Sequence, residues 1–193
     1  ATELVVNSYY KSFFESENKC GISSVRAGNV IGGGDWSKNR LIPDCIRSLL
    51  SNKEIYLRNP NFTRPWQHVL EPLKGYLILA KKQFEIPNKF SGAWNFGSSP
   101  HSIISVKKIT ELIIKFWGIG KVRSKKNIFK EQKFLQISSN KSKYHLKWKP
   151  SFNIKRAVKV TSDWYFFVEK NKENPIEITN QQIKEYMTEN KIN

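Results

Sequence analysis

Residues 26–36 read Arg-Ala-Gly-Asn-Val-Ile-Gly-Gly-Gly-Asp-Trp and follow the apolar-rich segment 22–25. Valine and alanine suit a buried strand, and the glycines leave room for a group to approach the backbone closely. A strand that opens into glycine, with Asn29 and Asp35 at the opening, is typical of the ligand-binding end of an α/β sheet. The alternative is that the three successive glycines form only a flexible turn.

The glycine-rich stretch does not match the dinucleotide-binding fingerprint. That fingerprint, Gly-x-Gly-x-x-Gly, opens directly into a helix whose N-terminus faces a pyrophosphate. Here Ser37 stands at the required third position after Gly34, and Lys38, Asn39 and Arg40 follow before any helical pattern begins. A Gly-Lys-Ser/Thr phosphate loop is also absent from the sequence. Neither common phosphate-cradling motif is therefore present.

Helical and strand patterns alternate along the chain. The periodicity predicts helices over residues 1–18, 42–52, 71–84, 106–117, 141–146, 154–170 and 180–189. It predicts strands over residues 22–30, 54–57, 93–96 and 134–137, and an extended segment over 62–69 because Pro65 disfavours helix at Arg64. Ser105 is predicted to cap the helix that follows it. This alternation indicates the α/β class.

The charge balance raises the question of a nucleic-acid partner. The 193 residues carry a formal net charge of +17, and the densest basic run, residues 121–133, holds five Lys and one Arg. The lysines are spread over the whole length, however, and that run contains few aromatics for base stacking. A solvated, lysine-rich surface is the preferred interpretation, and no nucleic-acid partner is expected. A polyanion-binding module is the alternative, and it predicts binding to DNA or RNA with a steep salt dependence.

The cysteines and histidines give no sign of a metal or disulfide framework. Cys20 and Cys45 lack Cys-x-x-Cys spacing, and His68, His101 and His145 are far apart in sequence. We therefore expect no metal site, and we interpret the histidines as ordinary polar residues. No signal peptide and no apolar run of membrane-spanning length are visible, so we expect a cytoplasmic protein without a membrane partner.

Two arginines are the strongest candidates for ligand contacts. Arg58 and Arg64 flank an extended, proline-punctuated segment rather than a helix face. A guanidinium group held on a rigid strand is suited to forked contacts with phosphate oxygens. The alternative for Arg64 is an internal ion pair with Glu71 or Asp35.

Several stretches resemble the CDP-glucose 4,6-dehydratase family of the extended short-chain dehydrogenase/reductase superfamily, whose members modify nucleotide sugars. The resemblance is specific in the Gly-Gly-Gly-Asp-Trp loop and the Arg-Pro-Trp-Gln-His-Val segment, and it reaches from Thr2 to about Lys170. The matching stretches are residues 26–36, 41–44, 58–60, 63–72, 93–97 and 146–150. The resemblance implies the C-terminal part of a Rossmann-type fold with its substrate-binding subdomain.

The resemblance also implies what the chain lacks. In this family a Tyr-x-x-x-Lys motif provides the acid/base for hydride transfer at the head of the helix that here begins at Ala1, and the glycine fingerprint for NAD lies further upstream. Neither motif is present, so no catalytic residue is expected in residues 1–193. The helix predicted from Ala1 also lacks a reciprocal cap at its start, because Val5 stands where Glu or Gln would complete a capping box with Thr2. We expect residues 1–193 to be the C-terminal, substrate-binding half of a longer enzyme, with a polar tail over 171–193.

Binding roles follow residue by residue from the matched positions. Asn29 and Arg64 match positions that hold the diphosphate of the sugar nucleotide. Ala27 and Gly28 match positions beside the nicotinamide end of NAD, where small side chains permit close approach. The nucleotide pocket would be lined by Leu41, Ile42 and Arg58, with Trp36 nearby.

The family reaction eliminates water from CDP-glucose with bound NAD as a recycled cofactor, and yields CDP-4-keto-6-deoxyglucose, a precursor of dideoxy sugars in O-antigen and other surface polysaccharides. The expected ligands are therefore NAD and CDP-glucose or a related nucleotide sugar. The complete enzyme is expected to be a homodimer. The isolated chain is expected to show no turnover, to bind a CDP-sugar weakly or not at all, and to be marginally stable. The alternative is another nucleotide-sugar epimerase or dehydratase of the same superfamily.

Overall fold

The computed structural model describes residues 1–17, 19–124 and 135–192. Within these ranges eight α-helices are present: α1 (Thr2–Phe13), α2 (Leu41–Leu50), α3 (Leu70–Glu85), α4 (Pro87–Phe90), α5 (Val106–Trp117), α6 (Asn140–His145), α7 (Ile154–Tyr165) and α8 (Pro175–Glu189). The strands are β1 (Ser23–Ala27), β2 (Asn29–Ile31), β3 (Ile55–Leu57), β4 (Thr63–His68), β5 (Gly92–Phe96), β6 (Ile103–Ser105) and β7 (Val122–Ser124).

The strands form three small sheets in which most pairs are parallel. β1 pairs with β5, and β3 pairs with β7, each in parallel. In the third sheet β4 is central, with β2 parallel on one side and β6 antiparallel on the other. Helices connect the parallel strands, as such pairs require. The predicted α/β class is confirmed.

The predicted strand over residues 22–30 is wrong in one respect, because it is two strands. The chain leaves β1 at Ala27, passes Gly28 and enters β2 at Asn29, so that one stretch serves two different sheets. Gly28 packs closely against β4: a Cβ there would lie 3.2 Å from the carbonyl oxygen of Pro65. The change of partner depends on β4 and β5, which lie far along the chain, so local periodicity does not reveal it.

Helix ends follow local chemistry where a cap is present. The hydroxyl of Ser105 accepts a hydrogen bond from the backbone N–H of Lys108 at 3.1 Å, which confirms the predicted cap of α5. Gly118 ends the same helix in the left-handed conformation with φ of 96°. The predicted helix over 154–170 ends as an α-helix at Tyr165 and continues through a π-helical turn, Phe166–Lys170.

The predicted strand over residues 134–137 is not found. Residue 134 lies outside the described ranges, and residues 135–137 form no regular structure. Residue 18 and most of the basic run 121–133 also lie outside the described ranges.

The region predicted as a polar tail contains α8. Ile178 and Tyr186 of this helix are buried, and the Tyr186 hydroxyl donates to the carboxylate of Glu71 at 3.0 Å. Glu71, in the first turn of α3, also accepts from the backbone N–H groups of Ser151 and Phe152 at 2.9 and 2.7 Å. A buried carboxylate therefore connects α3, the segment before α7 and α8.

Two apolar clusters form the interior. The larger joins α2, α5 and α7 around β3 and β4, and the smaller joins α3 to β5 around Trp94, Phe96 and Trp148. Among the helices of the described ranges, none combines the length and apolar character needed to cross a bilayer.

Candidate functional site

A cleft of about 940 Å³ opens where β2 ends, and it is bounded by β2, β4, α2 and β3. Its lining includes six of the eight residues that the sequence singles out for binding: Gly28, Asn29, Leu41, Ile42, Arg58 and Arg64. The carboxyl end of a parallel strand is where an α/β sheet commonly binds its ligand. The cleft is therefore the candidate site.

Asn29 and Arg64 lie on the same face of neighbouring strands. Asn29 is paired in register with Trp66 across the parallel β2–β4 ladder. Side chains at alternate positions of a strand share a face, so Arg64, two residues before Trp66, lies on the same face as Asn29. The Trp66 indole is buried and donates to the Ile104 carbonyl at 3.2 Å, which fixes this part of the face.

Asp35 and Glu71, the two carboxylates that the sequence offers as ion-pair partners of Arg64, have other partners among the described residues. The Arg64 guanidinium donates to the Thr63 carbonyl at 2.9 Å and lies 5.6 Å from the centre of the Phe62 ring. The carboxylate of Asp35 accepts instead from Arg40 at 3.1 Å and from the Ser37 N–H at 2.9 Å. Glu71 is occupied by the backbone and tyrosine donors described above.

Arg58 lines the same cleft and directly follows β3. It is exposed, and its guanidinium makes a long contact of 3.4 Å with the side-chain oxygen of Asn39. Asn39 has a φ of 65°, a left-handed conformation that asparagine tolerates better than most residues. Because this contact is long and exposed, it opposes rearrangement of Arg58 toward a ligand only weakly.

Helix α2 provides the apolar floor of the cleft. Ile42 is buried, Leu41 is half-buried, and Pro43 occupies the first turn, where its missing N–H costs no hydrogen bond. The segment before α2 is held by Arg47, which donates to the carbonyls of Trp36 and Ser37 at 3.0 and 3.3 Å and pairs with Asp44.

The cleft carries an excess of positive charge. Four arginines and two aspartates line it: Arg40, Arg47, Arg58, Arg64, Asp35 and Asp44. Partial burial acts to raise the pKa of Asp35, but hydrogen bonds from Ser37 and Arg40 outweigh it and hold the pKa below its usual value. Asp35 is therefore ionised near neutrality and its charge is directed to Arg40. The remaining excess of guanidinium groups favours an anionic ligand.

The glycine loop has a different purpose from the one the sequence suggests. A Cβ on Gly33 would lie 2.1 Å from the indole of Trp164, so the absence of a side chain makes room for the protein's own tryptophan. A Cβ on Gly32 would likewise meet Val69 at 2.9 Å. The interpretation that all these glycines admit a ligand is corrected at these two positions.

Two of the predicted binding residues do not line the cleft. Ala27 is the last residue of β1, half-buried and paired with Phe96 of β5. Trp36 is 40% exposed and its ring meets Tyr165 edge-on, with centroids 5.3 Å apart. Their proposed roles at the nicotinamide and near the nucleotide are therefore not part of this cleft's geometry.

Sequence reasoning missed several cleft residues, among them Arg47, Tyr56 and Phe62. Tyr56 could have been found from the sequence, because it alternates with the apolar Ile55 and Leu57 in a short strand. This pattern indicates a strand with one buried face, and Tyr56 lies on the exposed face. No such signal marks Arg47, since its carbonyl partners precede α2 and their position depends on the loop conformation.

His68 lies outside the cleft lining and is buried. Burial, assisted by the nearby positive charge of Arg156, lowers the pKa of His68 to about 4. The imidazole is therefore neutral at physiological pH.

No protein-family model matches the chain. Comparison with characterised proteins finds 38% identity over 169 residues to the CDP-glucose 4,6-dehydratase of Salmonella typhimurium, covering 84% of this chain and 47% of that protein. The resemblance stated from the sequence is confirmed. The chain spans about half the length of the relatives it matches.

Solved structures show the same fold. The dTDP-glucose 4,6-dehydratase of Bacillus anthracis in complex with NAD superimposes with a TM-score of 0.70 at 19% identity, covering 86% of this chain and 50% of that chain. A UDP-glucuronic acid 4-epimerase mutant of Bacillus cereus, in complex with a fluorinated UDP-sugar and NAD, gives 0.68 at 18% identity, covering 83% and 48%. The predicted fold, part of a Rossmann-type extended dehydrogenase/reductase structure, is confirmed.

Proposed function

We propose that residues 1–193 provide the nucleotide-sugar-binding part of an NAD-dependent CDP-glucose 4,6-dehydratase. The observation that carries this proposal is the placement of Asn29, Arg58 and Arg64 in one cleft that runs along β2. The 38% identity to the Salmonella enzyme supports the choice of reaction and substrate.

In this proposal the diphosphate of the substrate lies between Asn29 and Arg64, with Arg58 reaching toward it from the segment after β3. The amide of Asn29 donates one hydrogen bond, and each guanidinium donates a fork of two to phosphate oxygens. Leu41 and Ile42 form the apolar surface on which the nucleoside rests. Trp36, at the outer end of the glycine loop, lies near the nucleotide without lining the cleft.

NAD is the proposed cofactor. Ala27 and Gly28 stand together at the carboxyl end of the β1–β5 pair and present almost no side-chain volume, which fits close approach of a flat ring. When bound, NAD supplies reversible hydride transfer to and from the sugar. The residues of this chain contribute binding and orientation, while the acid and base groups of the family reaction belong to segments that residues 1–193 do not contain.

The test uses a hybrid enzyme in which residues 1–193 replace the matching half of the Salmonella dehydratase. The hybrid is expected to convert CDP-glucose to a product lighter by one water, detected by mass spectrometry, whereas residues 1–193 alone are expected to give none. Dehydration by residues 1–193 alone would contradict the proposed division of roles. A folded hybrid that binds NAD but not CDP-glucose would contradict the proposed substrate.

The second candidate is an epimerase or dehydratase acting on a different nucleotide sugar. The solved structures favour it, because they include both a dTDP-glucose dehydratase and a UDP-sugar epimerase. Competition between CDP-, dTDP-, UDP- and GDP-glucose for the hybrid separates the two candidates, since CDP-glucose is expected to be preferred.

Homodimer formation through α1 is part of the proposal. Leu4, Val5, Tyr9 and Phe13 of this helix are 58–76% exposed, although their side chains are apolar or aromatic. An amphipathic helix that leaves such a face uncovered is typical of an interface. A cytoplasmic location and a role in the synthesis of O-antigen sugars complete the proposed function.

A further inference from the structure

We infer that Tyr165 and Trp164, at the end of α7, are positioning residues that set the glycine loop, residues 32–37, as one wall of the cleft. Gly32 and Asp35 of this loop line the cleft directly. Neither Tyr165 nor Trp164 lines the cleft, so both act through the loop. The identity of the ligand bound beside this loop rests on the proposed function, but the positioning of the loop by Tyr165 and Trp164 does not.

Tyr165 holds the backbone of the loop. Its ring is fully buried, and its hydroxyl donates to the carbonyl oxygen of Asp35 at 2.6 Å. The edge of the Trp36 ring packs against the same tyrosine, with an angle of 79° between the ring planes. Burial raises the pKa of Tyr165 to about 12, so the hydroxyl is present as a donor throughout the physiological range.

Trp164 holds the same loop from one side. Its indole occupies the space that a side chain on Gly33 would need. The indole N–H donates to the Thr179 hydroxyl of α8 at 2.9 Å, so the tryptophan is itself fixed from the far side. Any non-glycine residue at position 33 would displace the loop, the indole or both.

Arg47 completes the restraint from α2. The carbonyls of three successive residues have donors: Asp35 accepts from Tyr165, while Trp36 and Ser37 accept from Arg47. The side chain of Asp35 then turns back to the Ser37 N–H and to Arg40. A loop rich in glycine loses much conformational entropy on ordering, and these bonds from two helices offset that cost.

Loss of the Tyr165 hydroxyl should therefore loosen the loop selectively. Tyr165→Phe keeps the buried ring and removes one hydrogen bond to Asp35. Tyr186→Phe is the matched control, because it also removes a buried tyrosine hydroxyl, but one that donates to Glu71 away from the cleft. Both variants should lose part of the stability of the chain, and Tyr186→Phe the larger part, because its hydroxyl donates to a carboxylate.

The deciding measurement is hydrogen exchange of the Ser37 amide, which donates to the Asp35 carboxylate, in residues 1–193 without ligand. Tyr165→Phe is expected to raise its exchange rate about tenfold, while Tyr186→Phe leaves it unchanged. Unchanged exchange in Tyr165→Phe, or an equal rise in Tyr186→Phe, would overturn the inference.

A titration of the hybrid enzyme, which carries residues 1–193, with CDP separates this inference from the proposed function. Absence of CDP binding would count against the proposed ligand, while the exchange result still decides whether Tyr165 positions the loop. Where CDP binds, its affinity should fall about tenfold in Tyr165→Phe and stay at the wild-type value in Tyr186→Phe. Equal affinities in the two variants would contradict a role of the loop in binding.

Discussion

Asn29 of β2 and Arg64 of β4 lie on one face of a parallel strand pair, separated by two residues in register. This relationship brings an amide and a guanidinium to the same cleft although they are distant in the chain. It depends on the change of partner at Gly28, which starts β2 one residue after β1 has ended.

Replacement of the buried Glu71 should destabilise the chain. Glu71→Gln replaces one acceptor oxygen with an NH2 group. If this group takes the place of Oε1, it faces the N–H of Phe152; if it takes the place of Oε2, it faces the N–H of Ser151 and the hydroxyl of Tyr186. The expected loss in the free energy of unfolding is about 1–3 kcal/mol, measured by urea denaturation. Glu111→Gln, on the exposed side of α5, is the control and should stay within about 0.5 kcal/mol of wild type. Equal values for the two variants would contradict the role of Glu71.

Gly75→Ala should destabilise α3, although alanine favours helices. A Cβ at this position would lie 2.3 Å from the ring of Phe96, which is fully buried between Tyr76 and Trp148. The gain in helix propensity is about 1 kcal/mol, and overpacking of a well-filled core costs about 1–3 kcal/mol. Thermal unfolding should show a lower midpoint for Gly75→Ala than for Lys81→Ala, an exposed control in the same helix. A higher midpoint would mean that Phe96 repacks freely.

The stability of the chain should fall as the pH decreases from about 6.5 to 4. Burial lowers the pKa of His68 to about 4, against 6.5 for the free imidazole, so the unfolded chain binds more protons in this interval. The contribution of the neutral His68 to the free energy of unfolding is complete above pH 6.5. It decreases by about 1.4 kcal/mol for each pH unit between 6.5 and 4.

The variant that checks this dependence is His68→Phe, which removes the ionisable group and keeps a ring against Phe152. Its free energy of unfolding should vary less steeply than that of wild type between pH 6.5 and 4. Parallel curves for the two proteins would show that His68 does not cause the dependence.

The exposed face of α1 should cause self-association. Val5→Glu and Phe13→Glu introduce charge into a stripe in which the rings of Tyr9 and Phe13 lie 5.3 Å apart. Both variants are expected to shift the sedimentation profile of residues 1–193 toward the monomer. Lys11→Glu should not, because the helical period places position 11 on the side of α1 opposite to Val5, Tyr9 and Phe13. A monomeric wild-type chain with a sharp, reversible melt would contradict this expectation.

Much of the fold could be predicted because its signals are local. The Ser105 cap, the proline in the first turn of α2 and the apolar stripe of α5 each depend on residues within one or two turns. The division of residues 22–30 between two sheets could not be predicted, because it is decided by the pairing of β1 with β5 and of β2 with β4.

The site shows the same limit. Arg58 and Arg64 could be selected because prolines and extended segments mark them as rigid, and both line the cleft. The contact between Gly33 and Trp164 joins residues far apart in the chain, so it is not visible in the sequence. The glycines therefore indicate space for a ligand where the Trp164 indole lies. The position of the glycine motif can therefore be predicted from the sequence, whereas its packing partner, Trp164, depends on long-range contacts.

Arg64 and Asn29 are proposed to bind the diphosphate of a sugar nucleotide. Phosphorus NMR of CDP tests this most directly, because both phosphorus atoms belong to the diphosphate itself. CDP is titrated at fixed salt with the folded hybrid enzyme and with its Arg64→Met variant. Since residues 1–193 carry a net charge of +17, removal of one charge should barely alter nonspecific attraction. Both phosphorus signals are expected to shift with the hybrid and to remain almost unchanged with Arg64→Met. Equal shifts with the two proteins, or none with the hybrid, would contradict binding of the diphosphate by Arg64 and Asn29.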